Sequence, residues 1–244
     1  MESPPKKAAL VTGGAVRIGR AIALGLAEAG YDVAVNYHTS EGEADSVAEA
    51  IRRMGRRCIT IEGNVSDGED AAQIVEEVRR EFGRLDLLVN NASVFQQAPL
   101  LEVEEAEWDQ VMAVNLKGPF LMVKSASELL RASRGSIINL VDLSAFQPWV
   151  GYPHHAVSKA GLLHLTRVMA RALAPQVRVN AVAPGSVLLP DDWSEADRER
   201  SRKRSPLGTL GSPEDVVRTV LFLDASPFIT GEVVVVDGGQ LLGG

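Results

Sequence analysis

Three ionisable side chains could together move a proton. His155 and Lys159 stand four positions apart in a segment with helical spacing, so both face one side of a helix. Asp142 precedes them in the chain. An imidazolium is a competent proton donor near neutral pH, and a carboxylate such as that of Asp142 could hold His155 charged. The sequence therefore indicates a site for proton transfer.

A glycine-rich turn follows the first strand-like run: Thr12-Gly13-Gly14-Ala15-Val16-Arg17-Ile18-Gly19-Arg20. Glycines at such a turn let the backbone approach a pyrophosphate, whose charge then lies against the N-terminus of the next helix. That helix is predicted to begin near Arg17. A glycine-rich turn alone is weak evidence, because many turns need glycine only for a positive φ. Its position between the first strand and the first helix favours dinucleotide binding.

The end of the second predicted strand bears on the choice between NAD(H) and NADP(H). Folds that bind NAD(H) usually carry an acid here for the adenosine ribose, whereas this chain has Asn36. The next residues offer hydroxyl and imidazole groups and no carboxylate that would repel a 2′-phosphate: Tyr37, His38, Thr39 and Ser40. Ser40 could equally cap the following helix. The turn favours NADP(H).

Short β-branched runs alternate with helical segments along the whole chain. The predicted strands are Ala8 to Val11, Asp32 to Tyr37, Arg57 to Glu62, Leu85 to Asn90, Ser136 to Val141, Val177 to Val182 and Glu232 to Asp237. Alternation of strand and helix specifies a parallel sheet, and continuous apolar strands indicate helices on both of its faces. We therefore predict an α/β Rossmann fold with a seven-stranded parallel sheet, as a single domain over residues 1–244.

Composition limits the classes of partner. The formal net charge is −7, with acids and bases interleaved, so a nucleic acid or an anionic membrane is a poor partner. The only cysteine, Cys58, has no partner for a disulfide, and His154 and His164 lack the spacing of a metal site. The polar start of the chain and the absence of a long apolar run predict a cytoplasmic protein.

The glycine-rich turn resembles that of the short-chain dehydrogenase/reductases, and the order of further motifs extends the resemblance over essentially the whole chain. The family motif T-G-x-x-x-G-x-G is matched by Thr12, Gly13 and Gly19, but Arg17 replaces the middle glycine. An arginine at this position is similar to the motif of pteridine reductases. The resemblance implies that Gly13, Ile18 and Gly19 contact the cofactor and that Arg17 lies near both pyrophosphate and pterin.

Other segments that resemble cofactor-binding motifs of the family follow in the expected order. They are Asn64-Val65 beside the adenine, Asn91-Ala92-Ser93 after the fourth strand, and Pro184-Gly185-Ser186 around the nicotinamide. Ser93 again matches the pteridine reductases. The resemblance implies an NADPH-dependent reductase that forms a homotetramer.

The catalytic residues of the family are matched only in part. Asn115 and Lys159 stand in the expected places, and Asp142 occupies the serine position, as it does in pteridine reductases. His155 replaces the catalytic tyrosine. His155 is the acid itself, or Asp142 acts with a water, or the chain binds the cofactor without reductase activity; the sequence leaves these three alternatives open.

The same resemblance implies a substrate site. Phe95 stands where pteridine reductases stack the pterin, and Tyr152 matches a second tyrosine of that group. Residues 184–213 are predicted to form the substrate loop, with a lid over 188–193 that includes Trp193. The leading hypothesis is hydride transfer to a pterin. A general carbonyl or alcohol oxidoreductase and a nucleotide-binding module without catalysis are the alternatives.

Overall fold

The computed structural model describes residues 7–189 and 194–243, and within them seven strands form one parallel sheet. The strands are β1 (Ala8–Val11), β2 (Asp32–Tyr37), β3 (Cys58–Glu62), β4 (Leu87–Asn90), β5 (Ser136–Leu140), β6 (Arg178–Pro184) and β7 (Val233–Val236). All seven predicted strands are present, so the predicted fold class is confirmed. The sixth strand runs further than predicted, because Pro184 still pairs with Val236 of β7.

The strand order β3-β2-β1-β4-β5-β6-β7 places β1 between β2 and β4. The chain adds strands on one side of β1 up to β3 and then continues on the other side with β4. The two strands β1 and β4 are paired, with Val11 opposite Val89. In open parallel sheets a crevice forms at such a switch point, outside the carboxyl ends of the strands. The glycine-rich turn and the residues after β4 both lie at this edge.

The helices that connect the strands are α1 (Arg17–Glu28), α2 (Glu41–Arg53), α3 (Gly68–Phe82), α4 (Glu105–Met112), α5 (Gly118–Ser133), α6 (Pro153–Leu173), α7 (Glu195–Arg204) and α8 (Pro213–Ala225). None of the helices in the described part of the chain combines the length and apolar character needed to cross a lipid bilayer.

The two faces of the sheet are covered by different helices. Ile22 of α1 and Val216 of α8 pack with Val11 on one face, whereas Ile74 of α3 packs with Leu10 on the other. Neighbouring residues of one strand therefore enter opposite halves of the core, as the twofold side-chain period of a strand requires. Burial on both faces explains why the strands read as uninterrupted apolar runs.

Candidate active site

The turn between β1 and α1 leaves no room for a side chain at two of its glycines. Gly13 has φ +59°, and a Cβ atom there would lie 3.0 Å from Cα of Ala92. A Cβ atom on Gly19 would lie 2.5 Å from Nδ2 of Asn91 and still nearer the carbonyl oxygen of Gly13. Glycine is therefore required for the close packing of this turn against α1 and the end of β4.

The N-terminus of α1 lacks a side-chain cap. Val16 occupies the N-cap position without a side-chain hydrogen bond, and the first turn contains no acidic residue. Unpaired backbone N–H groups and the helix macrodipole both attract an anion at such an end. The helix end fits the pyrophosphate of a dinucleotide, because Gly13 and Gly19 allow the backbone to approach it closely.

Arg17 has a left-handed backbone conformation, with φ +52°, at the first position of α1. That conformation costs a non-glycine residue about 1 to 2 kcal/mol. Its guanidinium donates to the carbonyl oxygen of Leu188 at 3.3 Å, while the neighbouring Ile18 side chain packs against the core. Arg17 therefore connects the glycine-rich turn to the segment that follows β6.

Hydrogen bonds hold the residues after β4 beside the glycine-rich turn. The hydroxyl of Thr12 accepts from the backbone N–H of Asn91 at 3.0 Å and of Ala92 at 3.1 Å. The side-chain amide of Asn91 donates to the carbonyl oxygens of Thr12 and Gly13, at 2.9 Å in both cases. The sequence indicated Thr12 only as part of a motif, and its bridging role depends on the pairing of β1 with β4.

A buried amide occupies the end of β2, where an acid would bind a ribose. Asn36 accepts from the N–H of Gly13 at 3.4 Å. Its Nδ2 donates to the carbonyl oxygens of Ile61 at 3.2 Å and Gly63 at 3.1 Å. These bonds connect β2 to the glycine-rich turn and to β3, so Asn36 stabilises the edge of the sheet.

The predicted cofactor turn after β2 is exposed to solvent at its centre, whereas Tyr37 is buried. His38 and Thr39 are exposed. Ser40 lies at the N-cap position of α2, but its hydroxyl makes no capping hydrogen bond. The structure therefore does not support the alternative that Ser40 caps the helix through its side chain.

Carboxylates do approach this turn, although residues 37–40 contain none. Burial raises the pKa of Tyr37, and the negative charges of Glu41 and Glu62 raise it further. Glu41 begins α2 directly after this turn, and Glu62 at the end of β3 is brought beside it because it pairs with Tyr37. Their charge opposes a 2′-phosphate at this position.

Asn64 and Val65 follow β3. The Oδ1 atom of Asn64 accepts from the backbone N–H of Ser66 at 3.0 Å and from its hydroxyl at 2.8 Å. Val65 packs against the start of α5, where a Cβ atom on Gly118 would lie 3.1 Å from its Cγ2 atom. The oxygen of the Asn64 amide is therefore used within the protein, and Nδ2 is its remaining donor.

Asn115 lies on a single π-helical turn, Ala113–Lys117, between α4 and α5. Such turns are frequent at functional sites because they change the direction in which a helix presents its side chains. The Oδ1 atom of Asn115 accepts from the N–H of Val94 at 2.7 Å and from the hydroxyl of Ser93 at 3.2 Å. Its Nδ2 donates to the carbonyl oxygen of Val94 at 3.0 Å. Asn115 thus fixes the segment that follows β4.

Asp142 and His155 form the contact that the sequence suggested. The Nε2 atom of His155 lies 2.7 Å from Oδ2 of Asp142. The backbone N–H of Ser144 donates to Oδ1 of Asp142 at 2.9 Å, and the Ser144 hydroxyl donates to the same oxygen. Burial alone would raise the pKa of Asp142, but the hydrogen bond from His155 and the charge of Lys159 hold it below its ordinary value. Asp142 is therefore a carboxylate with three donors.

His155 is enclosed by protein on its other side. Its Nδ1 atom lies 3.2 Å from the carbonyl oxygen of Val94 and 3.4 Å from Nδ2 of Asn115. The ring of Phe95 meets the imidazole edge to face, with centroids 4.7 Å apart. Both ring nitrogens are thus engaged, one by a carboxylate and the other by backbone and amide groups.

Lys159 lies one turn beyond His155 on α6 and is almost fully buried. Its Nζ atom donates to the carbonyl oxygen of Leu140 at 2.9 Å. Burial lowers the pKa of Lys159, and the nearby charge of Asp142 opposes that shift. A buried ammonium beside a carboxylate at the carboxyl ends of β4 and β5 can donate to a polar ligand.

Aromatic side chains form one wall of the site. Phe95 stacks on Tyr152, with ring centroids 4.4 Å apart and planes inclined by 14°. The ring of Trp149 meets Tyr152 edge to face at 6.2 Å. The hydroxyl of Tyr152 donates to Oε1 of Gln97 at 3.2 Å, so its proton is used within this wall. Phe95 is 57% exposed and offers its remaining surface to a flat ligand.

The segment after β6 is held by the C-terminus of the chain and by α7. The hydroxyl of Ser186 accepts from Nε2 of Gln240 at 3.0 Å and from the hydroxyl of Ser201 at 2.7 Å. A Cβ atom on Gly185 would lie 2.7 Å from Oε1 of Gln240. The predicted substrate loop contains the helix α7, while residues 190–193 of the predicted lid, including Trp193, lie outside the described residues.

Comparison with known proteins places this geometry in a family. Residues 14–240 match the family described as enoyl-(acyl carrier protein) reductase. The 3-oxoacyl-[acyl-carrier-protein] reductases of Staphylococcus aureus and Thermotoga maritima are 40% and 36% identical over 242 residues, covering 97% of this chain and 98% of theirs. The crystal structure of a dehydrogenase/reductase from Sinorhizobium meliloti 1021 superposes with a TM-score of 0.89 at 38% identity, covering 96% of this chain and 94% of that one.

The chain belongs to the short-chain dehydrogenase/reductase family. It is therefore an NAD(P)-dependent oxidoreductase, and the family prediction made from the glycine-rich turn is confirmed. Within this short-chain dehydrogenase/reductase, the site has Asp142 and His155 in place of the serine and tyrosine that the family motif contains.

Sequence reasoning missed two serines in the site of this short-chain dehydrogenase/reductase. Ser144 supplies two of the donors to Asp142, and Ser158 accepts from Nδ2 of Asn115 at 3.1 Å. The first follows Asp142 by two residues, which is the spacing of an aspartate that bonds its own turn. Ser158 immediately precedes Lys159, and only the packing of α6 against the π-helical turn shows its role.

His154, whose spacing does not fit a metal site, is a packing residue with no exposed surface. Neither ring nitrogen has a hydrogen-bond partner among the described residues. Burial lowers the pKa of His154, and the carboxylate of Glu107 on α4 opposes only part of that shift. An uncharged imidazole is the form that such an environment favours.

Proposed function

We propose that this short-chain dehydrogenase/reductase is an NADP(H)-dependent reductase of a flat nitrogen heterocycle, with a dihydropterin as the substrate to test first. The observation that carries the proposal is the Asp142–His155 pair, with 2.7 Å between Oδ2 and Nε2. It replaces a serine and a tyrosine by a carboxylate hydrogen-bonded to an imidazole, beside the buried Lys159. Aspartate at this position is also the feature that resembles the pteridine reductases.

The proposed cofactor site extends along the carboxyl edge of the sheet. Bound NADPH supplies a hydride. Its pyrophosphate would lie against α1 at Gly13 and Gly19, with Arg17 and the Ile18 backbone beside it. Lys159 would hold the nicotinamide ribose and has Nζ protons available beyond its bond to Leu140.

Further residues complete this proposed cofactor site around its two ends. The adenosine end would contact the turn after β2 and the start of the next loop, and the nicotinamide end would contact the segments after β4 and β6: Tyr37, His38, Thr39, Ser40, Asn64, Val65, Asn91, Ala92, Ser93, Pro184, Gly185 and Ser186. Because Glu41 and Glu62 oppose a 2′-phosphate, titration with both NADPH and NADH is needed. Tighter binding of NADH would contradict this part of the proposal.

The substrate would lie between the cofactor and the aromatic wall. Phe95 provides an exposed ring for stacking, Tyr152 supports that ring from behind, and Arg17 lies where the substrate loop begins. Asn115 positions the backbone of Val94, and that backbone in turn contacts His155. Asp142 with His155 would manage the proton that accompanies the hydride.

NADPH oxidation with dihydrobiopterin, dihydrofolate and simple ketones tests the proposal, using wild type, Asp142→Ala and His155→Tyr. Turnover of a pterin that Asp142→Ala abolishes is the expected result. Cofactor binding without turnover of any compound would contradict the proposal. If His155→Tyr then gained activity, the chain would be a nucleotide-binding module that has lost its chemistry.

A 3-oxoacyl thioester is the second candidate substrate, because the relatives from Staphylococcus aureus and Thermotoga maritima are named 3-oxoacyl-[acyl-carrier-protein] reductases. Such a substrate has a ketone, whose oxygen needs a proton donor as the hydride arrives. Acetoacetyl thioesters of a carrier protein and of pantetheine belong in the same assay. Faster turnover of these thioesters than of pterins would favour the second candidate.

We also propose that the chain forms a homotetramer. An apolar groove of about 640 Å³ lies between α4, α5 and α6, and its lining includes Leu116, Phe120, Leu165 and Val168. Exposed apolar surface of this kind is typical of contacts between subunits. Light scattering after gel filtration should give the tetramer mass for wild type and a smaller species for Phe120→Glu with Val168→Lys.

A further inference from the structure

The more exposed partner of the Asp142–His155 pair is the carboxylate. The Asp142 side chain is 21% exposed, whereas the His155 side chain is 3% exposed. Both nitrogens of His155 are engaged, Nε2 by Asp142 and Nδ1 by the backbone of Val94 with the amide of Asn115. A substrate that reaches the pair therefore meets an acceptor oxygen and not an imidazole N–H.

Other hydroxyl donors around this point are already used. The Ser144 hydroxyl donates to Asp142, the Ser158 hydroxyl to the carbonyl oxygen of His155, and the Tyr152 hydroxyl to Gln97. The oxygen of a ketone gains negative charge as a hydride reaches its carbon, and it needs a donor at that moment. Among the described residues, these hydroxyls do not supply one. The free Nζ protons of Lys159 are assigned to the nicotinamide ribose, and the carboxylate of Asp142 would repel the developing alkoxide.

A protonated C=N bond has the opposite requirement. Its nitrogen carries both the positive charge and the proton, so a carboxylate attracts it and accepts its N–H. Hydride addition at carbon moves the π electrons to nitrogen, which gives a neutral amine and NADP⁺. The proton that a ketone would take from the enzyme is already on this substrate, and no further donor is required.

We propose that the enzyme reduces protonated cyclic imines as a class, with the iminium N–H held by the partly exposed carboxylate of Asp142, and that a pterin ring is not required. His155 then serves as a positioning residue, because its contacts with Val94 and Asn115 fix the carboxylate through the 2.7 Å bond. This inference rests on the proposed reductase function and narrows its substrate class from flat heterocycles to C=N bonds.

The test compares 3,4-dihydroisoquinoline and 1-pyrroline with the ketones 1-tetralone and cyclopentanone, and includes dihydrobiopterin in parallel. NADPH oxidation is followed with wild type, Asp142→Asn and the control Glu76→Gln, which changes an exposed acid of α3 to an amide. We expect turnover of the imines and not of the ketones. Asp142→Asn should lower kcat/KM for the imines by about 10- to 150-fold, the usual effect of losing a hydrogen bond to a charged group. Glu76→Gln should match wild type.

A second probe separates charge from protonation. N-methyl-3,4-dihydroisoquinolinium is permanently cationic and carries no N–H. Attraction to Asp142 predicts that it is reduced at a rate that does not fall from neutral to alkaline pH, whereas reduction of the parent imine falls as that imine loses its proton. A parallel alkaline fall for both compounds would overturn the role given to the substrate charge.

The outcomes distinguish this inference from the proposed function. Reduction of dihydrobiopterin without reduction of either imine overturns the inference and leaves the pterin proposal intact. Reduction of imines without pterin supports the inference and overturns the choice of pterin. Ketone turnover equal to imine turnover overturns the inference, and bound NADPH with no turnover of any compound overturns both.

Discussion

Replacing Gly19 with alanine places a methyl group where the protein has no space. The new Cβ atom would lie 2.5 Å from Nδ2 of Asn91 and nearer still to the carbonyl oxygen of Gly13. Ordinary van der Waals contact needs about 3.5 Å, so at least one of these groups must move by about 1 Å. The Gly13 carbonyl belongs to the turn that is proposed to hold the pyrophosphate, and Asn91 holds that turn by hydrogen bonds.

The cost of this displacement follows from the usual cost of overpacking. An extra methyl in a closely packed site costs about 1 to 3 kcal/mol. Because the strain falls on the cofactor turn, we expect the Kd of NADPH to rise by about 5- to 150-fold. Where the increase in Kd falls within this range depends on how far the backbone of Gly13 can move away from the new methyl group.

Fluorescence titration with NADPH measures the change, and Gly68→Ala is the matched control. Gly68 also begins a helix, but a Cβ atom there would have nothing within 4 Å. We expect Gly68→Ala to bind NADPH as wild type does. A Kd of Gly19→Ala for NADPH within about twofold of the wild-type value would refute the reasoning, because the steric contact would then not weaken cofactor binding.

Three further predictions concern stability. Arg17→Gly should be about as stable as wild type, whereas Arg17→Val should lose about 1 to 3 kcal/mol, because a β-branched residue tolerates the left-handed φ poorly; equal thermal midpoints for the two variants would contradict this. The pKa of His154 is lower in the folded chain than in the unfolded chain, so the unfolded chain takes up a proton at a higher pH. The free energy of unfolding therefore falls as the pH drops through about 6.5. Urea unfolding of His154→Leu should show a shallower fall, and an unchanged slope would count against the burial argument. The folded-state pKa of Asp142 is also lowered, so its contribution is present above the unfolded value of about 3.9 and is lost below it. Asp142→Asn should therefore be less stable than wild type at neutral pH and should converge with it in acid; a constant difference across pH would exclude the negative charge of Asp142 as the cause.

The fold was predictable because its signals are local. Each strand is a short apolar run, and the helix α3 shows buried residues at helical spacing, with Ala71, Ile74 and Val78 on one face. The turn at Gly13 and Gly19 has a fixed place between a strand and a helix. Such patterns are visible in a sequence because each involves residues that are close along the chain.

The chemistry of the site was predictable only where a spacing encoded it. His155 and Lys159 share a helix face, and the proposed contact of Asp142 with His155 was found. The approach of Glu62 to Tyr37 and the attachment of Asn115 to Val94 were not predictable, because each joins separate elements. The exposure of Asp142 rather than His155 likewise depends on how α6 packs beside β5.

The destination of the hydride tests the central claim most directly. NADPH carrying deuterium on its transferable position would be incubated with the enzyme and an equimolar mixture of dihydrobiopterin and an acetoacetyl thioester, and the products would be analysed by mass spectrometry. The account predicts deuterium on a ring carbon of the pterin, next to the nitrogen that gains the proton. Deuterium on the hydroxyl-bearing carbon of the thioester product, or in neither product, would contradict it.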